Sequence, residues 1–478
     1  MILDKDACYR AVRARDRRFD GRFFTAVASS GIYCRPICPV RIPKRENMRF
    51  YSSAAAAEGA GFRPCLRCRP ERAPGLAMVD ATSRLAGAAI ARIEEHAVSN
   101  GKLADLAAAL GVSDRHLRRV TEAELGVAPI ELAQTQRLLL AKRLLSETSL
   151  KLAEIAFASG FGSVRRFNAL FKSRYGLNPG SIRRSSGETP GLKCQLDFRP
   201  PFAWQSMLAY LRQRAIPRVE TVDSTHYRRT AALAERRGWI AVSLAKSGTA
   251  LEVEISAALA PVIGAVIARV KQLFDLSAAP EAVATLLTRD PMLEPIVKRL
   301  PGLRLPGAFD GFELAVRAVL GQQVSVKAAS TLAGRWASKF GTPIETPWAG
   351  LDRIAPGAEL MRDVATGELR ALGVVGSRAH CLRRLAHAVA DRRVDLSCAA
   401  NVEEQIESLT ALPGIGPWTA QYIVMRALHW PDAFPDGDLG LLRATNLERR
   451  ELRARAEVWR PWRAYAAHYL WQSSGVVP

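Results

Sequence analysis

Residues 409–424 read LTALPGIGPWTAQYIV, a Pro-Gly-Ile-Gly turn set between two runs of helical periodicity. Glycines in so short a hairpin let the backbone come close to a neighbour that side chains would hold away. The helix that follows opens with N–H groups lacking intrahelical partners, so Gly414 and Gly416 are placed to approach a phosphate. Hairpins of this kind also serve chains that do no chemistry. The acidic pair Asp436 and Asp438 in FPDGDLGL, twenty residues past Trp418, sharpens the reading. Taken alone, Asp438 reads as a solvated loop or helix-capping carboxylate.

Around this segment lies a chain of 478 residues, long enough for roughly three domains at about 150 residues each. Lys and Arg outnumber Asp and Glu by 68 to 46, a formal charge of +22, while 48% of residues are hydrophobic. A folded cationic protein favours a polyanionic partner and argues against metabolite-only roles. The opening MILDKDACYR has no apolar signal core, and no run of 18 apolar residues occurs. A cytoplasmic protein that uses no membrane is expected. Pro/Gly-rich and polar stretches at 69–77 and 183–193 read as linkers, and PGLRLPG at 301–307 as a softer joint. Strand-like alternation (WIAVSL, ALEVEI) precedes the last of these. Basic residues exceed acidic ones by 32 to 18 up to residue 190 and by 36 to 28 beyond it, so both parts can meet a polyanion.

Eight cysteines are present, and four form two close pairs: Cys34-x3-Cys38, a 26-residue gap, then Cys65-x2-Cys68. Two such pairs suit a tetrahedral four-thiolate zinc site, and by spacing alone a structural zinc knuckle is a sufficient reading. The runs TAVASSGIYCRPICPVRIPKRENMRFY and GFRPCLRCRP resemble the N-terminal domain of the Ada methyl-acceptor proteins over about residues 3–75. That resemblance implies that Cys34 accepts a methyl group from a methylated DNA phosphate while Cys38, Cys65 and Cys68 complete the zinc site. The chemistry is reasonable, since thiolate is the nucleophilic form and zinc keeps sulfur deprotonated at neutral pH. Methylation makes the site one unit less negative, which would weaken repulsion from DNA phosphates and turn repair into a DNA-affinity switch. Ser30, Arg41 and Arg63 match the positions where the family contacts the DNA backbone, with Lys44 and Arg45 nearby. Pro39 offers no donor directly after the second cysteine.

LADLAAALGVSDRHL at 103–117 reappears as LAEIAFASGFGSVRRF at 152–167. Gly111 and Gly160 sit where a first helix needs a positive-φ exit into a second. The second helices carry Arg115, His116, Arg118 and Arg119, or Arg165, Arg166 and Asn168, types that reach phosphates and base edges. A helical bundle with basic solvent faces is the plainer reading. With the closing FKSRYGLNP, the segment resembles the AraC-type DNA-binding domain over about residues 83–185. Two copies in one chain could read two successive major grooves as a monomer. Regulators of the Ada group activate transcription after methyl transfer, which implies RNA polymerase as a partner. The Pro-Cys-His-Arg nucleophile of full-length Ada is absent, and Cys194, Cys381 and Cys398 are expected to pack as small apolar groups.

From about residue 193 onward the chain resembles the 3-methyladenine DNA glycosylase II family of helix-hairpin-helix proteins. The likeness rests on LDFRPPFAWQSMLAYLRQRAIPRVETV, AVRAVLGQQVSV, the hairpin and WRPWRAYAAHYLW. It implies Asp438, rather than Asp436, as the catalytic carboxylate. Trp418, Tyr422 and Trp471 become aromatic walls of a base pocket, and Gln323 fills the stack left by an extruded base. Alkylation at a ring nitrogen makes a purine cationic, a better leaving group and a better partner for aromatic faces. The oxocarbenium character of the sugar is what a carboxylate can stabilise. Trp459 and Trp462 are expected in the core. No lysine stands at 418–430, where Gln421 and Val424 are found, so a monofunctional glycosylase without lyase activity is expected. Hairpin carbonyls are candidates to hold a monovalent cation.

The expected architecture is multidomain, mainly α with α+β parts. It comprises a zinc methyl-acceptor domain (1–78), a double helix-turn-helix (83–185), an α+β domain (192–303) and an all-α helix-hairpin-helix domain (304–478). The expected function is repair of alkylated DNA by base excision and by methyl acceptance on Cys34, with methylation-dependent regulation. The rival is a transcription regulator whose glycosylase half is inactive or secondary. Double-stranded DNA, alkylated and promoter, is the expected partner, the cofactor one Zn2+, and the location the nucleoid.

Overall fold

The computed structural model describes residues 4–76, 84–96, 103–183, 191–397 and 401–474. The chain is mainly helical with small sheets and divides into two compact units. The first comprises Met1–Pro200, Leu244–Lys271 and Leu276–Ala278; the second comprises Pro201–Ser243, Gln272–Asp275 and Ala279–Pro478. Among the described residues no helix is long and apolar enough to cross a membrane.

In the first unit a four-stranded sheet runs in the order Met48–Tyr51, Phe24–Val27, Ile32–Cys34, Arg63–Pro64. Thr25 pairs antiparallel with Cys34, and Ile32 pairs parallel with Arg63, so both cysteine pairs leave neighbouring strands at one end. Phe24 meets Tyr33 edge-on at 5.8 Å in the core beneath. The repeated motif forms two helix-turn-helix units. Helices Leu103–Ala109 and Leu152–Ala158 exit through Gly111 (φ +67°) and Gly160 (φ +81°). The second helices, Asp114–Leu125 and Val164–Tyr175, are capped by Ser113 and Ser163. Helix Pro129–Glu147 joins the two copies. Strands Gly191–Asp197 and Ala250–Ser256 pair antiparallel, with Asp197 opposite Ala250.

The stretch at 69–77, expected to be a linker, is a packed clasp over its first five residues. Pro70, Glu71 and Ala73 are buried. Glu71 Oε2 meets Lys142 Nζ at 2.5 Å, and Arg69 Nη2 meets Glu147 Oε1 at 2.6 Å on the joining helix. A buried charge needs a partner, and here the partners lie on a different element, so the segment fastens the zinc domain rather than tethering it. Most of the second expected linker, 184–190, lies outside the described residues.

In the second unit, strands Glu220–Val222, His226–Leu233 and Arg236–Leu244 form an antiparallel meander. The helical body includes Gly311–Leu320, Val326–Phe340, Gly376–Ala390, Val402–Thr410, Pro417–Ala427, Leu439–Thr445 and Arg463–Ser474. The expected joint at 301–307 is packed solid. Leu303, Arg304 and Leu305 are buried, Arg304 Nη1 donates to Asp275 O at 2.6 Å, and a Cβ on Gly302 would lie 2.5 Å from the Pro201 carbonyl carbon. Trp459 and Trp462 are core residues, Trp459 donating to Asp290 Oδ2 at 2.7 Å.

One buried carboxylate gathers three elements of the first unit. Glu58 accepts from Tyr33 at 2.9 Å, Thr135 at 3.0 Å and Tyr175 at 3.1 Å, which belong to strand Ile32–Cys34, helix Pro129–Glu147 and helix Val164–Tyr175. Burial raises its pKa from 4.5 to about 7, the three hydroxyls opposing part of the shift. The folded chain therefore holds this proton to higher pH than the unfolded chain. The associated stability is complete below about pH 4.5 and is lost as pH rises through 7, on the order of 3 kcal/mol. Glu58→Gln should flatten that part of the profile, visible as a smaller fall in Tm between pH 5 and pH 7 than in wild type.

Candidate functional site

The sulfurs of Cys34, Cys38, Cys65 and Cys68 lie within 4.8 Å of one another, and all four residues are buried. Ligands of a tetrahedral Zn2+ stand about 3.8 Å apart, so modest contraction around the ion closes the set, and four thiols are the donors that zinc prefers. The sulfurs are not equivalent. Cys68 accepts from the Arg35 N–H at 3.4 Å and Cys65 from the Arg67 N–H at 3.3 Å. Cys38 is drawn below the usual thiol range by Cys34 first, with the Val40 N–H adding to the effect. No backbone N–H is directed at Cys34 among the described residues. A thiolate accepting fewer hydrogen bonds keeps more of its electron density for attack.

Around this cluster Ser30 and Arg41 are exposed and Arg63 is half-buried on its strand. Arg45 is engaged, paired with Asp6 and lying over the Tyr9 ring at 5.3 Å. In the helix-turn-helix copies, Arg115, Arg118, Arg165 and Arg166 are exposed, while Leu117 and Phe167 turn into the core. Cys194 and Cys381 are buried, and Cys398 lies outside the described residues.

In the second unit, Gly416 caps helix Pro417–Ala427, whose Pro417 stands where a proline costs no hydrogen bond. Gly414 has φ +101°, and a Cβ there would come within 2.9 Å of Cys381 Cβ. Asp438 is 5% exposed and caps helix Leu439–Thr445. Its Oδ1 accepts from the Leu441 N–H at 2.9 Å and from the Trp471 indole at 2.9 Å; its Oδ2 accepts from the Trp418 indole at 2.7 Å. All three partners only donate, so the carboxylate is matched to them in its ionised form. Asp436, by contrast, pairs with the exposed Arg449 at 2.9 Å.

Trp418 stacks on Tyr422 with centroids 5.3 Å apart and planes 7° from parallel, as side chains four apart on a helix allow. Sequence reasoning missed what lies under Tyr422. Its hydroxyl accepts from Arg426 Nη1 at 2.9 Å and lies 3.4 Å from the Tyr210 hydroxyl, while the Arg214 guanidinium covers the Tyr210 ring at 4.0 Å. Burial alone would raise the Tyr422 pKa, but the charges of Arg426, Arg214 and Arg317 bring it down to about 8. Arg426 and Arg214 add to burial in pushing His468 to about 3, so that ring stays neutral. These contacts fix the Tyr422 ring in place under Trp418. The i, i+4 spacing of Tyr422 and Arg426 was the available signal; nothing local pointed to Tyr210.

Gln323, expected as the wedge, is exposed in the loop after helix Gly311–Leu320 and holds φ +54°, a left-handed backbone uncommon outside glycine. Its neighbour Gln322 reaches the hairpin instead, donating to the Gly414 carbonyl at 2.9 Å and to Thr419 Oγ1 at 3.1 Å. That bond occupies one of the carbonyls expected to face a cation.

A hairpin, a clasped aspartate, an aromatic stack and a four-cysteine centre in one chain define a DNA repair enzyme joined to a zinc-bearing DNA-binding module. Four family models match in succession: the metal-binding domain of Ada (7–71), a helix-turn-helix domain (106–185), the AlkA N-terminal domain (193–310) and the HhH-GPD superfamily of base excision DNA repair proteins (316–454). A probable bifunctional transcriptional activator/DNA repair enzyme AlkA of Mycobacterium tuberculosis is 38% identical over 481 residues, covering 98% of this chain and 96% of that protein. DNA-3-methyladenine glycosylase 2 of Escherichia coli is 35% identical over 284 residues, 59% of this chain and 98% of that one. The structure of a 3-methyladenine DNA glycosylase from Archaeoglobus fulgidus shares the fold, with TM-score 0.53 and 23% identity over 59% of this chain and 98% of that one. The chain belongs to the AlkA family of bifunctional transcriptional activator/DNA repair proteins. Its four clustered cysteines form a site for one Zn2+.

Gly414→Ala should destabilise the hairpin by about 1–3 kcal/mol through the contact with Cys381 and about 1–2 kcal/mol more through the left-handed backbone. Gly416→Ala meets open space and should cost far less. Thermal melts of the two variants, read beside duplex binding, check the difference.

Proposed function

We propose that this protein repairs alkylated DNA by releasing bases such as 3-methyladenine through hydrolysis of the N-glycosidic bond, with Asp438 as the catalytic carboxylate. The observation that carries the reading is the clasp of two indole N–H groups and one backbone N–H on a buried aspartate beside the hairpin. The exposed main chain at Gly414 and Gly416 suits a DNA phosphate next to the lesion. An extruded cationic base is favoured by the electron-rich Trp418–Tyr422 stack, and Trp471 closes the aspartate's other side. As the C1′–N bond breaks, its electron pair leaves with the base, and Asp438 faces the growing positive charge on the sugar. A water then adds at C1′ and releases a proton to solvent, leaving a hydroxyl on the sugar. The absence of lysine at 418–430 supports hydrolysis without lyase chemistry: Gln421 is committed to the Phe434 N–H at 3.0 Å, and Val424 is buried. Asp438→Asn should slow release of methylated purines from alkylated duplex at least ~100-fold. Equal release by both proteins, measured by chromatography of the freed bases, would sink the assignment.

In the same reading Cys34 takes a methyl group from a DNA methylphosphotriester. The S–C bond forms as the C–O bond breaks, and the phosphodiester leaves as the anion. A bound Zn2+ keeps the four sulfurs deprotonated at neutral pH. Ser30, Arg41 and Arg63 surround the approach, and loss of one negative charge favours DNA binding by the neighbouring reading helices. Exposed arginines on both of those helices favour a regulatory role alongside repair, with promoter DNA and RNA polymerase as partners and one chain supplying both reading elements. Exposure to methylated DNA should leave one methyl on Cys34, seen by peptide mass spectrometry, and none in Cys34→Ser. A methyl on another cysteine of the wild type overturns the assignment.

A further inference from the structure

Arg35 directly follows the candidate acceptor, and only 3% of its side chain is exposed. Its guanidinium is held from two sides. Asp20 of the zinc domain accepts from Nε at 2.8 Å and also from Nη2. Asp197 accepts from Nη1 at 2.7 Å, and the Cys68 carbonyl accepts from that same nitrogen at 3.2 Å. With its backbone N–H on Cys68 Sγ, Arg35 touches Cys68 at two points and is bonded through the chain to a second ligand, Cys34.

Asp197 is not part of the zinc domain. It ends the strand Gly191–Asp197, inside the stretch matched by the AlkA N-terminal model. Its other oxygen accepts from Arg72 at 3.0 Å and 2.5 Å, so one carboxylate bridges two zinc-domain arginines. Two residues on, the buried Arg199 donates to the carbonyls of Asp20 at 2.9 Å and Gly75. A Cβ on Gly21 would come 2.9 Å from Gly75 N and 3.4 Å from Arg199 Nη2, so the approach is close enough to need glycine. All these residues belong to the first compact unit.

The cluster balances two guanidinium groups, Arg35 and Arg72, against two carboxylates, Asp20 and Asp197. Without Asp197 this buried cation loses half of its anionic partners, and what is left to meet it is Asp20 and then the thiolates of the adjacent cysteines. A guanidinium that turned to them would draw off the electron density that methyl transfer uses. We propose that Asp197 is a positioning residue for methyl transfer: supplied by the glycosylase-type segment, it holds Arg35 away from the sulfurs and keeps Cys34 seated at the end of its strand. The acceptor site is then complete only when the glycosylase-type strand is docked on it. This rests on the reading of Cys34 as the methyl acceptor.

The test uses the full-length zinc-loaded chain, a duplex carrying methylphosphotriesters, and three separate readouts: the time course of methyl on Cys34, zinc per chain, and release of 3-methyladenine. Asp197→Asn should keep one zinc and wild-type base release while methylation of Cys34 slows about 10- to 100-fold. Asp197→Glu, which restores the charge, should recover to within a few-fold of wild type. Arg35→Lys, a point charge that cannot serve Asp20, Asp197 and the Cys68 carbonyl together, should be slowed like Asp197→Asn and gives a second route if that variant does not accumulate. Wild-type methylation rates in Asp197→Asn or Arg35→Lys overturn the proposal, as does loss of zinc from Asp197→Asn, which would make the residue structural. No methyl on Cys34 in the wild type would instead remove the reading beneath it.

Discussion

A charge taken out of water has to be met by an opposite charge or by hydrogen bonds that fill its shell, and in a chain of formal charge +22 that constraint organises both compact units. In the first, Lys142, Arg69, Arg35 and Arg72 are set against Glu71, Glu147, Asp20 and Asp197. In the second, Arg426 meets backbone carbonyls and two phenols in place of a carboxylate. These buried cations hold elements together, while Arg41 near the cysteine centre and Arg115, Arg118, Arg165 and Arg166 on the helix-turn-helix units stand exposed.

The same constraint shapes the chemistry. Asp438 is a buried anion held by three donors, none of which carries a formal charge. Its charge is oriented without being cancelled, as the proposed stabilisation of a forming cation requires. As a helix cap it is structural, and the proposed catalytic role is compatible with this because capping uses one oxygen and leaves the other to Trp418. Under the aromatic stack the arginines act on the hydroxyl end of Tyr422, lowering its pKa against the effect of burial. At the cysteine centre the unequal supply of N–H donors distinguishes Cys34 from three sulfurs of the same element and similar burial.

Much of this was legible in local pattern. The repeat at an offset of 49 to 50 marks two helix-turn-helix units because each needs a glycine at the exit of its first helix, and Gly111 and Gly160 both hold positive φ. Two close cysteine pairs identify a four-sulfur centre because each pair is delivered by one short turn. Trp418 and Tyr422 share a helix face by spacing alone. Composition misled at 69–77 and 301–307: proline and glycine mark where the chain turns, and they do not say whether the turn is solvated or pressed against a neighbour, as Gly302 is against Pro201.

By itself, then, the amino-acid sequence determined which short-range devices are present: the hairpin, the paired reading helices, the cysteine cluster and the aromatic face of one helix. These depend on residues a few positions apart, where helical and turn geometry dictate who meets whom. Only the tertiary structure decided which distant groups complete them. Arg35 meets Asp197 across 162 residues, Tyr422 meets Tyr210 across 212, and Asp438 gains Trp471 from the last described helix. Such pairs follow from which buried polar groups coincide in space once the elements have packed, and no periodicity along the chain records it.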